Sequence, residues 1–430
     1  MQINSAITHR IFPFAEQILW VACPVLMFAF MFGHVNGIVN SSLALIGIGT
    51  ILSIGSPKWQ SLLRWPLIWP IAVWLGWSLV SVSWSPYPAI SMRAWLDEIL
   101  YPSVVFWGFW MFGMRLRRPD RVILILWVAC VLLALLSAYY WGKLQPPTPN
   151  TFPIRFYNRV GHTSTLAIFA MLMFVAWFFN SRQWLIGAIG IGCCLFIGLA
   201  SLNRFFWPAA AASLPIALYP WYWKRLNWLI IACIFFTGTL GMLAISSSLR
   251  YQLVPPPVSQ DSITGTSNTK RPDFFAGLRH AYNSDIRPQL WEFYSEAGLT
   301  HKWLGVGFGK PLPGIVYRDK ISPELLKREP QALTHAHNLF LNTWLQTGFI
   351  GLTFQIILFA CLMRSFWKIR SYRLELSMAG IALVVAMVTK NMVDDFMWQT
   401  TMISFWACSG LLLGVGNSSS QNTNNEIDKK

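Results

Sequence analysis

The sequence predicts an all-α, polytopic membrane protein on three observations: apolar runs recur along the chain, charge is scarce, and what charge there is falls unevenly between the two sides. Hydrophobic residues make up 55% of the 430 and charged residues only 12%, about half the share usual in soluble domains. The 24 Trp and 30 Phe suit aromatic belts anchoring many helices at two interfaces.

Reading each apolar run of about 17–25 residues as a span gives helices over 17–33, 36–54, 66–83, 97–114, 121–141, 162–179, 184–200, 205–220, 226–246, 338–362, 374–391 and 396–415, twelve in all. Pro102 and Pro208 interrupt the fourth and eighth. The first run is followed by many more, so it reads as a span and not a cleaved signal. The chain divides into an N-terminal bundle of about nine helices (1–248), a polar loop domain (249–337), about three C-terminal helices (338–416) and a tail (417–430). The tail's Asn/Ser/Gln-rich composition predicts disorder.

With the N-terminus placed in the cytoplasm, the 33 Lys and Arg divide into sixteen on the inner side, six in the short outer loops and eleven in the long segment. A sixteen-to-six bias over short loops orients the protein with both termini inside and puts the long segment outside. The formal charge of +16 is therefore mostly topological, and no nucleic-acid partner is implied. The seven cysteines all fall in expected spans, so neither a disulfide framework nor a thiolate metal site is indicated.

The outer segment opens on Pro255-Pro256-Pro257 and a Ser/Thr/Asn-rich stretch to about Pro272, a flexible excursion by composition. From about Phe274 to Gly298 the pattern turns helical, with Leu290, Phe293, Tyr294 and Ala297 at three- and four-residue spacing. Leu304-Gly305-Val306-Gly307-Phe308-Gly309 follows. It lacks the Lys-Ser/Thr ending of a phosphate loop and the strand-turn-helix setting of a dinucleotide fold. It reads as a tight turn with close backbone approach.

The segment ends in Thr334-His335-Ala336-His337-Asn338, directly before the apolar Leu339-Phe340-Leu341. Histidine is the side chain best suited to general-base work near neutral pH, and here it stands where a loop domain meets the bilayer. The plainer alternative is an interfacial histidine satisfying helix-end hydrogen bonds. No Glu or third His stands at zinc-motif spacing, so no metal is expected. Asn338 reads as a helix cap.

Arg204, in the hinge Ser201-Leu202-Asn203-Arg204-Phe205, breaks the orientation bias in a connection too short for a solvated loop. It is either a snorkelling arginine or one facing a substrate path, and a guanidinium fork suits phosphate. Arg155 and Arg159 are secondary candidates near the next interface. Lys390, beside Asp394 and Asp395, reads as part of an ion-pair network.

His337-Asn338-Leu339-Phe340-Leu341 followed by Gly348-Phe349-Ile350-Gly351 resembles the His-Asn-x-x-Leu…Gly-x-x-Gly signature of the O-antigen ligase/polymerase superfamily. Arg287-Pro288-Gln289-Leu290-Trp291 with Leu304–Gly309 is similar to that family's Arg-x-x-x-Trp…Gly-x-Gly run. Asn203-Arg204 is similar to its Ser-Arg or Asn-Arg at the outer end of a central helix. The resemblance covers about residues 155–415 and rests on the order and sidedness of the motifs.

The resemblance implies a GT-C-like fold in the bacterial inner membrane with the active site facing the periplasm. It implies a glycan on undecaprenyl pyrophosphate as donor and, for a ligase, a lipid A-core sugar hydroxyl as acceptor. Membrane lipids surround the protein, and neither cofactor nor ATP is implied. His337 would be the base. Arg204 and Arg287 would hold the pyrophosphate, with Arg279, Trp291, His335 and Asn338 as further candidates. A repeat-unit polymerase and a pilin oligosaccharyltransferase share the donor. A lipid-linked glycan transporter is the alternative of another class, and should show internal repeats and interrupted, polar helices near mid-membrane.

Overall fold

Every one of the twelve apolar runs folds as helix in the computed structural model, which describes residues 5–33, 35–54, 62–141, 160–178, 183–224, 227–253, 279, 282–283, 285–328, 334–393, 395, 397 and 399–427. In the N-terminal part these are α1 (Ser5–Ala29), α2 (Asn36–Ser53), α3 (Ile68–Val80), α4 (Pro88–Trp95), α5 (Tyr101–Arg115), α6 (Pro119–Trp141), α7 (Val160–Phe178), α8 (Trp184–Ala200), α9 (Phe206–Tyr222) and α10 (Trp228–Leu253). The polar segment contributes α11 (Arg287–Gly298), α12 (Leu312–Val316) and α13 (Pro323–Arg328). The C-terminal helices are α14 (Leu339–Lys368), α15 (Leu374–Asn391) and α16 (Gln399–Ile427). There is no strand among the described residues. The protein is an all-helical, multi-pass membrane protein. Six segments, Phe12–Ala29, Asn36–Ser53, Pro119–Tyr139, Leu229–Leu249, Leu339–Ser371 and Leu374–Asn391, are long and apolar enough to cross a membrane.

The two prolines that interrupt the pattern are tolerated for identifiable reasons. Leu96–Leu100 forms a π-helical turn between α4 and α5, and this wider turn resets the hydrogen-bond ladder just before Pro102. Pro208 falls in the first turn of α9, where no intrahelical N–H bond is needed.

α7 is buried on all sides from His162 to Phe178, as its uniformly apolar sequence requires of a central helix. α16 lies directly on α5. A Cβ at Gly410 would collide with the Phe106 carbonyl oxygen, and one at Gly414 with that of Trp110. This is the small-residue spacing that lets two helix backbones approach in an apolar medium, where dispersion replaces the hydrophobic drive.

The polar segment has its own core of Leu290, Tyr294, Val306, Leu312, Tyr317 and Ile321, closed by Trp344 and Leu345 of α14. The loop domain is therefore seated on the N-terminal half of α14. That helix departs from a single span: Gly348, at φ 70° and ψ −175°, breaks it. The freed Leu345 and Gln346 carbonyls accept from Val306 N (2.9 Å) and Gly307 N (2.9 Å), while Phe349 N donates to the Lys302 carbonyl (2.9 Å). Gly305, at φ +70°, lies so close to the Gln346 backbone that a Cβ there would collide with it. The glycine run makes the close backbone approach its composition predicts, with the broken helix as its partner.

Two other boundaries differ from expectation. The helix that the periodicity predicts from about Phe274 is interrupted: Arg279, Tyr282 and Asn283 are helical, Asp285 and Ile286 are not, and α11 starts at Arg287. Residues 274–278 lie outside the described ones. The last helix runs on to Ile427, past Gly416, where composition predicts a disordered tail. Once a long helix exists, each added residue gains a hydrogen bond without a new nucleation cost.

Candidate functional site

The hinge between α8 and α9 is built to present Arg204. Leu202 is buried with its backbone in the left-handed region at φ 49°, a conformation that costs a non-glycine residue roughly 1–3 kcal/mol and turns the chain sharply. Ser201 Oγ donates to the Gly198 carbonyl (2.7 Å), and Asn203 Oδ1 accepts from Phe205 N (3.0 Å), closing the turn with side-chain bonds. Arg204 is thereby held outside both helices. Its Nη2 lies 3.1 Å from Asp285 Oδ2.

Arg287 reaches the same carboxylate from the first turn of α11, with Nη1 3.2 Å from Asp285 Oδ1. Both guanidinium groups also stand over one ring, that of Phe205, at 5.0 Å for Arg204 and 4.3 Å for Arg287, within cation–π range. The two arginines named from sequence are thus brought together, through an acid and an aromatic ring that sequence reasoning passed over.

Trp291 is one helical turn from Arg287 and on the same face. Its indole Nε1 donates to the Ala336 carbonyl at 3.0 Å, the residue between the two histidines. α11 therefore ties the arginine pair to the His-Ala-His segment, and Trp291 is its positioning residue. His337 is buried, with φ 51° in the left-handed region, a second strained non-glycine residue beside the site. The His335 and His337 rings lie 4.1 Å apart at 42°, and His335 Nδ1 is 2.7 Å from Thr334 Oγ1. Asn338 caps α14: its Oδ1 accepts from Leu341 N (3.0 Å), and its Nδ2 donates to the Met392 carbonyl (2.8 Å). Both ends of its amide hold structure, which fits the cap reading. Arg279 is exposed. Arg155 and Arg159 lie outside the described residues.

A small cleft opens between the helices, with Glu98, Asn342, Gln346, Gln355 and Asp395 on its polar side and Trp74, Phe308 and Trp406 among its apolar walls. Asp395 is buried and accepts from Asn342 Nδ2 (3.0 Å), and it stands 3.4 Å from Lys310 Nζ. Lys310 also donates to the Asp395 backbone carbonyl. One of the two acids expected to pair with Lys390 thus has as its partner a loop lysine 85 residues away. Asp394 lies outside the described residues. Gln346 Oε1 accepts from Gly309 N at 2.8 Å, which gives that side chain a role in seating the glycine run. Among the described residues no cluster of three or more His, Cys, Asp or Glu is placed to hold a metal ion.

A family model described as O-antigen ligase matches residues 161–356. Over that span, a little under half of the 430 residues, the chain is similar to the O-antigen ligase family. Arg204, Arg287, Trp291, His335 and His337 all fall inside the matched span, whereas Arg155, Arg159 and Asp395 fall outside it. A comparison with curated proteins found no match. The matched family implies glycosyl transfer of the ligase or polymerase type, with lipid-linked glycan and a lipid acceptor as the substrate classes.

Proposed function

We propose that this protein is an O-antigen ligase that transfers glycan from undecaprenyl pyrophosphate to a sugar hydroxyl of lipid A-core at the periplasmic face of the inner membrane. All twelve long helices would cross the bilayer, with the loop domain outside. The observation that carries the reading is the convergence of Arg204 and Arg287 on one carboxylate, tied through Trp291 to the segment that bears His337.

The chemistry follows from those groups. A diphosphate is already a good leaving group, and paired guanidinium forks stabilise the charge that develops on it as the anomeric bond breaks. The acceptor hydroxyl is a poor nucleophile until a base takes its proton during attack. His337 is assigned that role. Direct displacement on the anomeric carbon inverts its configuration. Neither ATP nor a metal enters a step.

The transporter alternative gains one feature, since α14 is interrupted and polar side chains flank the break. However, the carbonyls freed at Gly348 bond to the glycine run, so protein backbone, and not a transported solute, satisfies them. A repeat-unit polymerase and a pilin oligosaccharyltransferase differ from the ligase only in acceptor. The deciding experiment supplies purified protein with undecaprenyl-linked glycan and, separately, lipid A-core, free repeat-unit carrier or pilin, with products sized by gel. Transfer to lipid A-core that persists in excess EDTA without ATP supports the ligase. Transfer only to another acceptor, or none after chelation, overturns it.

A further inference from the structure

Among the described residues, Asp285 is the acid on whose two oxygens Arg204 and Arg287 converge. Oδ2 lies 3.1 Å from Arg204 Nη2 and 3.4 Å from Arg287 Nη1, and Oδ1 lies 3.2 Å from Arg287 Nη1. Oδ1 also accepts the backbone N–H of Arg287 at 3.2 Å, at the start of α11, where the helix dipole favours negative charge. One nitrogen from each of two guanidinium groups, a backbone donor and a helix end thus bind one carboxylate. A phosphate oxyanion offers guanidinium forks the same paired-oxygen geometry.

We propose that Asp285 is an internal anion that occupies the phosphate position of the arginine pair in donor-free protein and is displaced when a lipid-linked diphosphate binds. The proposal rests on the reading of Arg204 and Arg287 as the diphosphate clamp. Two physical arguments favour displacement over a permanent clamp. The side chains of Arg204, Asp285 and Arg287 retain 22%, 27% and 18% exposure, so the ion pairs are partly solvated and individually weak. A diphosphate diester brings two negative charges against the single charge of the carboxylate, and the same two forks bind it more strongly. Until then Asp285 keeps two like-charged guanidinium groups from repelling each other apart, so the clamp is preorganised when the donor arrives. It also sets a threshold, because a singly charged anion gains nothing by replacing it.

The test measures binding of undecaprenyl pyrophosphate, without glycan, to the full-length protein in lipid nanodiscs, alongside thermal stability. Asp285→Asn is expected to bind the diphosphate roughly tenfold more tightly than wild type, because one competing charge is gone, while its melting temperature falls. A structural clamp would instead lose affinity and stability together, so equal or weaker binding by Asp285→Asn overturns the proposal. Asp285→Ser carries the same comparison if the asparagine variant is not recovered folded, since serine keeps a helix-start acceptor without the charge. An Arg204→Ala/Arg287→Ala double variant separates the two levels. If it binds as well as wild type, the clamp reading falls and this proposal with it. If it loses binding while Asp285→Asn gains none, only the internal anion is overturned.

Discussion

At His337 and the two arginines, residue type and backbone geometry argue for different kinds of failure on substitution. A general base acts mainly in the transition state, where it contributes about a hundredfold or more to rate. His337→Ala is therefore expected to lose at least about a hundredfold in turnover with donor binding largely kept, and His335→Ala to be milder. A purified transfer assay checks this, and near-normal turnover by His337→Ala would remove it as the base. On the proposed reading the arginines meet charge already present in the ground state. Arg204→Lys and Arg287→Lys should each weaken diphosphate binding by about tenfold or more, nearly as far as alanine, because an ammonium offers a point charge where a planar fork is needed. Lysine variants that bind like wild type would show that only positive charge matters there. These three residues were legible from the chain: a histidine before an apolar helix, an arginine in a hinge with no room for solvent, and a family-like Arg-x-x-x-Trp run. Asp285 was not, because one acid in a polar loop carries no local signature.

Among the elements, α14 shows how far hydropathy can be trusted. Its run of apolar residues reads as one span, with Gly348 and Gly351 inside it. In the fold Gly348 is a left-handed break whose partner is the glycine run around residue 305. A Cβ at position 348 would collide with the Trp303 carbonyl oxygen. Gly348→Ala is expected to cost roughly 1–3 kcal/mol from backbone strain alone, with the backbone collision added. It should also loosen the seat of the loop domain on α14. Thermal unfolding in detergent, paired with limited proteolysis of the loop, measures both. A variant as stable and as protease-resistant as wild type would mean that the break is incidental. α11 likewise acts as a unit. Its inner face, with Leu290, Tyr294 and Ala297, is buried, as the three- and four-residue periodicity predicts, and this anchors Arg287 and Trp291 at fixed positions on one rigid turn.

For the whole molecule, the decisive proposal is sidedness. Both termini are expected inside and the loop domain outside, from the distribution of Lys and Arg over short loops. Reporter fusions after Arg118 and Arg370 should read cytoplasmic, and a fusion after Lys320 periplasmic. A cytoplasmic signal at Lys320 would place the arginines and His337 on the wrong face for the proposed reaction and sink it. The close packing of α16 on α5 through Gly410 and Gly414 joins the C-terminal helices to the N-terminal bundle. The loop domain is thus carried on a frame made from both ends of the chain.

The helices were readable from the chain because burial among lipids and other helices demands apolar side chains in runs, and the helical backbone satisfies its own hydrogen bonds inside the segment that encodes it. The candidate base and clamp were readable because histidine and arginine are chemically conspicuous where apolar neighbours surround them. The site itself was not, since its contacts join residues far apart in the chain: Arg204 to Asp285 across 81 positions, Trp291 to Ala336 across 45 and Lys310 to Asp395 across 85. Local periodicity carries no information about such pairs. The fold sets them by seating a loop domain on a broken helix, where each freed backbone group and each desolvated charge must find its partner in a distant segment.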